Sequence, residues 1–430
     1  MRATVAFGKH GVELDLPAGY RYDVLHAHAA PPVVDLNAEI ASALDCPIGA
    51  PPLQQMATGC ASAAIAVCDI TRPAPNRLTL PPVIERLLNA GIQREKITIF
   101  IATGLHRPAT PDELDIILGP EIVGHHPIVN HDARIREAHR FLGETRRGTP
   151  VAIESRFLDA DLHISLGLIE PHLMLGFSGG RKLIAPGLAA QETIKVIHSP
   201  RFMREALAVE GSVDENPLHD ELLNIARMAR HDFILDVTLT RMREISGVFA
   251  GGPVQAHAAG VAALRYEALE RLDEPVDAVI TSAAGYPLDL TFYQTIKGVT
   301  AAQHIVKRNG PILVLGECTE GIGSPEFAAK LHGYRGHQEY LDAIRDSPVE
   351  VDQWQLEKLA LVGLKHRLLF YTPGVVPASL GSLGTDCFMS APAAIAQLLR
   401  MVPKGGRVAV IPEGPYVYAR VHENELAINH

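Results

Sequence analysis

Four apolar runs of strand character, at residues 61–68, 96–102, 161–167 and 278–282, are each followed by residues suited to chemistry. The segments are Asp69-Ile70-Thr71-Arg72-Pro73, Thr103-Gly104-Leu105-His106-Arg107-Pro108, Leu168-Ile169-Glu170-Pro171-His172 and Ala283-Ala284-Gly285-Tyr286-Pro287. In open α/β sheets ligands bind outside the carboxyl ends of the strands, so these ends predict a shared cleft holding one Asp, two Arg and two His. Imidazoles exchange protons near neutral pH, and a guanidinium grips a carboxylate with two parallel hydrogen bonds. Taken singly, each residue has a plainer reading. His106 and His172 would be loop histidines bonded to backbone, and Asp69 would cap the turn that Pro73 ends.

A glycine-rich segment, Gly176-Phe177-Ser178-Gly179-Gly180-Arg181-Lys182, ends in two cations and could bring backbone N–H groups close to an anion. It lacks the GxxxxGK[ST] spacing of a P-loop, and a tight turn with exposed cations is the competing reading. No GxGxxG follows a strand, so an ordinary dinucleotide fold is unsupported. His198 closes an apolar helical pattern at residues 192–197, where it could complement the helix dipole or ligate a metal such as nickel or zinc. His125, His126 and His131 lie in a polar connection without HExxH spacing and are expected at the surface.

The elements that must position these groups alternate along the chain. Further strands are predicted at 233–239, 311–315, 367–371 and 407–411, and helices at 82–90, 111–118, 217–228, 254–272, 301–307, 353–362 and 391–401. This alternation predicts an α/β fold of two domains, with mainly parallel sheets flanked by helices and the active site in the cleft between them. A charged, proline-containing link at Asp273-Glu274-Pro275 suggests an N-terminal cofactor-binding and catalytic domain over 1–273. A C-terminal α/β domain then spans 274–403, and 404–430 is expected to return to the first domain.

Composition limits what the chain can be. Its 430 residues carry a formal net charge of −10, which disfavours non-specific attraction to nucleic acid or anionic membrane. No window approaches 18 uninterrupted apolar residues and the N-terminus has no signal-peptide core, so a cytoplasmic protein without a membrane span is expected. Five cysteines, none in a CxxC pair, argue against a thiolate metal site or a disulfide framework and predict buried or half-buried free thiols.

The ordered set DITRP (69–73), TGLHRP (103–108), EPH (170–172), GFSGGRKLIAPG (176–187), IH (197–198) and YQTIKG (293–298) resembles the nickel-pincer-nucleotide lactate racemases across nearly the whole chain. The resemblance implies an isomerase that interconverts the enantiomers of a small 2-hydroxy acid. It implies a cofactor, pyridinium-3,5-bisthiocarboxylic acid mononucleotide nickel, joined to Lys182 and supplied by cofactor-synthesis enzymes. It further implies that His198 is the protein's nickel ligand and that Asp69 is an acidic residue at the cofactor site. His106 and His172 would be the acid/base pair, and Arg72, Tyr293, Gln294 and Lys297 would face the substrate. Trp354, the only tryptophan, stands where the family has an aromatic beside the substrate, at looser spacing, and otherwise reads as a packing residue. Sulfur donated by such a cofactor accounts for a metal site without cysteines.

The substrate is left open between lactate-like acids and malate, phenyllactate, 2-hydroxyglutarate or a sugar acid. For a dianion, Arg107 could supply the extra cation. Two other readings remain: a zinc hydrolase using His106, His172 and His198, and a carrier that binds the nucleotide without turnover.

Overall fold

The computed structural model describes residues 1–26 and 30–421. Two six-stranded sheets organise it. The first runs in the order Ile245–Gly251, Phe233–Leu239, Leu162–Leu168, Ala63–Cys68, Ile97–Ala102, Ile128–Asn130, parallel except for its Ile245–Gly251 edge. The central strands Ala63–Cys68 and Leu162–Leu168 are buried at every position, as expected of parallel strands covered on both faces. The second sheet is wholly parallel: Asp386–Phe388, Arg367–Tyr371, Pro311–Leu315, Ala278–Ser282, Arg407–Ile411, Arg21–Val24. The eight predicted strands all form, within two residues of their expected starts and one of their ends.

Strand order reverses in the first sheet between Ala63–Cys68 and Leu162–Leu168, because the chain adds strands outward on one side and later on the other. Such a switch point opens a crevice at the carboxyl ends. Asp69 and Arg72 emerge from one of its walls, Glu170 and His172 from the other.

Several expectations need correction. Residues 404–430 were expected to complete the first domain. Arg407–Ile411 pairs between Ala278–Ser282 and Arg21–Val24 in the second sheet, into which the N-terminal segment also crosses, while Tyr418–Val421 pairs with Leu269–Leu272; residues 422–430 lie outside the described residues. The helix expected over 254–272 is Gln255–Ala268, and Leu269–Leu272 turns to strand by pairing with Tyr418–Val421, a partner too distant in sequence to foresee. The helix expected at 301–307 is Phe292–Ala302. Thr291 caps it, its side chain accepting from the Gln294 N–H. Gly298 lets this helix press on the second sheet: a Cβ there would stand 2.7 Å from Val314 Cγ1 and 2.8 Å from the Ser282 carbonyl oxygen. The cysteines are all free as expected, although Cys46 is exposed. Among the described residues, no helix is long and apolar enough to cross a membrane.

Buried histidines give the fold a pH dependence. Burial leads in lowering His231 to about 3 and His304 to about 4. Both rings are therefore neutral in the folded chain at pH values where the unfolded chain, with ordinary values near 6.5, binds protons. Their contribution is present above pH 6.5 and is lost as the pH falls toward 4, at about 1.4 kcal/mol per pH unit for each ring. The urea midpoint is expected to drop steeply between pH 7.5 and 5; a flat midpoint over that interval contradicts this reading.

Candidate active site

One cavity, with about 1100 Å³ of atom-free space counting its open mouth, gathers all ten residues singled out in the sequence. Asp69, Arg72, His106, His172, Lys182 and His198 come from the first part of the chain, and Tyr293, Gln294, Lys297 and Trp354 from two helices of the second. Three of the four strand ends take part as expected. The fourth, residues 283–287, is not among the lining; the second domain contributes helix Phe292–Ala302 and helix Gln353–Gly363 instead.

His106 is held by a carboxylate. Its Nδ1 lies 2.7 Å from Asp69 Oδ2, while Asp69 Oδ1 accepts from the Thr71 hydroxyl at 2.7 Å. Burial would raise the Asp69 carboxyl, but His106, Thr71 and Arg72 outweigh it and hold it at about 2, so Asp69 is an anion at neutral pH. An anionic acceptor keeps the imidazole proton on Nδ1 and leaves the Nε2 lone pair available as a base. Asp69 thus orients a histidine in this structure, a contact the motif reading did not include.

His172 sits in a different field. It lies in the short strand Pro171–His172, paired with Gly176 of Gly176–Phe177, is buried, and faces several cations. Burial, then Lys182, Lys297, Arg72 and Arg181, holds it well below the usual imidazole range. The two histidines emerge from strands on either side of the strand that delivers Asp69 and Arg72.

The glycine-rich loop separates its two cations by function. Arg181 is fully buried and points away from the cavity: its guanidinium donates to the carbonyls of Ser178, Gly179, Leu175 and Phe177 and contacts His257 Nε2 at 2.7 Å. It is a clamp for the loop, not an anion site. Gly179 is required by the close approach of Asp236, whose Oδ2 would lie 2.6 Å from a Cβ. Lys182 is the cation that reaches the cavity. Burial and the nearby Arg72 lower its ammonium to about 8. More of Lys182 is therefore free amine near neutral pH than of an ordinary lysine.

His198 ends helix Gln191–Ile197 and donates from Nδ1 to the Ile194 carbonyl at 2.8 Å. That bond fixes the tautomer with a bare Nε2, the arrangement of a histidine ready to ligate a metal. Burial first, and Lys182 second, push it down to about 4, so protons do not compete for Nε2 at neutral pH. Trp354 packs on this ring, centroids 4.5 Å apart, and donates its indole N–H to Tyr293 Oη at 2.9 Å. Trp354 is therefore at the cavity.

Arg72 donates from Nε to Glu170 Oε1 at 2.9 Å and from a terminal nitrogen to the Thr71 carbonyl, which leaves donors free for a second carboxylate. Glu170 and Asp352 are the site carboxylates that the sequence did not single out. Glu170 lay inside the EPH motif, where only its neighbour carried a role. Asp352 lines the cavity from a left-handed turn at φ 65° that precedes Trp354, and only proximity to that tryptophan could have signalled it. Arg107 forms a two-bond ion pair with Glu113, both contacts 2.7 Å, and is not among the cavity lining.

Two domains with mainly parallel sheets enclose a cleft that combines an Asp-oriented histidine, a half-buried amine and a bare imidazole nitrogen, the architecture of an α/β enzyme. Residues 7–210 match the lactate racemase N-terminal domain and residues 272–418 the lactate racemase C-terminal domain. The lactate racemase of Thermoanaerobacterium thermosaccharolyticum is 32% identical over 97% of this chain and 98% of its own; that of Lactiplantibacillus plantarum is 32% identical over 87% and 89%. The structure of the T. thermosaccharolyticum lactate racemase apoprotein superposes with a TM-score of 0.89 at 30% identity, covering 98% of this chain and all of that one. A Thermotoga maritima protein shares the fold alone, with a TM-score of 0.66 at 18% identity over 86% of this chain and 96% of that one. The chain belongs to the lactate racemase family and is an isomerase of the racemase class.

Proposed function

We propose that this chain racemises lactate or a similar short 2-hydroxy acid, using His106 and His172 as two acid/bases on a substrate held by Arg72 and Lys297. The observation that carries this reading is the placement of two imidazoles on strands that flank the anion-binding strand, in the same cavity as a depressed lysine and a tautomer-fixed histidine. A racemase needs proton-transfer groups for two hydroxyl orientations, and one base cannot serve both. The Cα proton beside an ionised carboxylate is too weak an acid for a side chain to remove unaided.

The residues present fit the nickel-pincer nucleotide. His198 Nε2 supplies a neutral nitrogen donor, Lys182 supplies the nucleophilic amine for attachment, and the buried Gln294 Oε1 has no hydrogen-bond partner among the described residues. When bound, that group would supply a reversible hydride acceptor for Cα. The chain's own residues do the rest. His106 Nε2 takes the hydroxyl proton of one enantiomer while Asp69 stabilises the imidazolium; His172 serves the other. Charge-assisted bonds from Arg72 to the substrate carboxylate are worth roughly 1.5–3 kcal/mol. Arg107 is committed to Glu113 and offers no second anion site for a dianionic substrate. Acylation of Lys182 and binding of a carboxylate remove or balance cations that depress His172, which brings its proton affinity back toward neutral pH.

The test is co-production with the cofactor-synthesis enzymes followed by chiral assay on lactate, malate, phenyllactate and 2-hydroxyglutarate. Turnover is expected on lactate, with malate and 2-hydroxyglutarate at least ten-fold slower. Preference for a dianion, or nickel-loaded protein without turnover on any of these acids, contradicts the proposal.

A further inference from the structure

His125, His126 and His131 were expected at the surface, and the structure corrects this for two of them: His126 and His131 are buried, His131 completely. His131 follows the edge strand Ile128–Asn130, and across from it runs the hairpin His139–Glu144 and Pro150–Glu154, in which His139 and Glu154 are directly opposed. Ligand atoms of His131, His139 and Glu154 lie within 4.8 Å of one another, the one such trio among the described residues. Among the described residues, the cavity histidines His106, His172 and His198 form no such trio.

Proton placement makes the trio informative. The Nε2 atoms of His131 and His139 face each other at 2.9 Å. His139 Nδ1 lies 2.9 Å from the Ile135 carbonyl, which can only accept, so that nitrogen carries the proton and Nε2 is bare. The Thr103 hydroxyl lies 2.7 Å from the His131 carbonyl and gives it its one proton; it can then only accept from His131 Nδ1 at 3.1 Å. His131 Nε2 is therefore bare as well. Two lone pairs opposed at this distance repel each other, and a cation bound between them, beside the buried carboxylate of Glu154, would relieve that repulsion.

The geometry points to a second metal site, in which His131 Nε2, His139 Nε2 and a Glu154 oxygen bind one divalent ion of the zinc class with water as fourth ligand. Two imidazoles and a carboxylate match zinc better than magnesium or calcium, which prefer oxygen alone. Nitrogens at tetrahedral Zn–N distances stand about 3.3 Å apart, so the rings part by about 0.4 Å on binding. A proton shared between the two Nε2 atoms is the rival occupant, and metal uptake by the wild-type chain distinguishes the two. Arg156 donates to Glu154 Oε1 at 2.8 Å and to Oε2 at 3.2 Å and orients the carboxylate, as outer partners of metal ligands commonly do, leaving a lone pair of the more weakly held oxygen for the ion. The ion would sit behind Thr103, a residue that lines the cavity and starts the segment carrying His106. Its role is to brace that segment.

The untagged chain, produced without the cofactor-synthesis enzymes and stripped with chelator, is equilibrated with Zn²⁺, desalted and analysed for metal; Co²⁺ replaces zinc for visible absorption. One zinc per chain is expected, unchanged in His198→Ala and reduced at least ten-fold in His139→Ala, with the cobalt bands lost in parallel. Should His139→Ala fail to fold, Glu154→Gln decides: its zinc affinity is expected to fall at least ten-fold. A wild-type chain that takes up no zinc, zinc retained in full by folded His139→Ala or by Glu154→Gln, or zinc lost only in His198→Ala overturns the site.

Discussion

Replacing His106 or His172 by Ala is expected to lower kcat for racemisation by at least 10³-fold in either direction, with the cofactor still attached. Positioned proton transfer contributes typically 10²–10⁴-fold, and a racemase depends on both of its bases in every complete conversion. Each histidine meets the hydroxyl from its own strand end, so neither can replace the other. Asp69→Asn is expected to cost less, about 10²-fold, because asparagine can still accept from His106 Nδ1 but no longer stabilises an imidazolium with a full charge. Intact mass reports attachment and a chiral assay reports turnover. Near-full activity in either alanine variant would show that one base suffices.

Lys182→Ala is expected to abolish the covalent adduct and all measurable racemisation while leaving the chain folded. No other lysine in the cavity offers the same combination. Lys297 is also depressed, by burial and then by Arg72 and Lys182, but it lies on helix Phe292–Ala302, across the cleft from the glycine-rich loop. The loop's carbonyls are clamped by Arg181, and among the described residues the Lys182 side chain makes no hydrogen bond that holds the loop. Losing the ammonium also removes the first-named cation that lowers His172, so the titration of that imidazole, followed by NMR, is expected to move upward in the variant. An adduct of full yield in Lys182→Ala would assign attachment elsewhere.

Much of the sheet framework was legible because parallel strands buried on both faces are continuous apolar runs, as in Ala63–Cys68. The residues at their carboxyl ends were legible for the same reason: once a strand is placed, its end is placed. Helix Phe292–Ala302 was not. Its β-branched and polar positions blur a helical period, and what specifies it is the Thr291 cap and the tight seat of Gly298 on the second sheet. Pairing of Arg21–Val24 with Arg407–Ile411 joins segments nearly the whole chain apart, which no local pattern encodes. The surface expectation for His131 failed because polar neighbours suggested solvent, whereas a hairpin folds over the ring. Arg181 and Lys182 read alike in sequence. Only the structure shows one turned to four loop carbonyls and the other to the cavity.

The most direct measurement follows hydrogen at Cα. Holoenzyme interconverts protiated lactate enantiomers in ²H₂O, and the product is examined early in the reaction by NMR and mass spectrometry. If the hydrogen leaves and returns as hydride while His106 and His172 handle only the hydroxyl proton, Cα keeps its protium. One solvent deuterium at Cα per turnover would contradict the account.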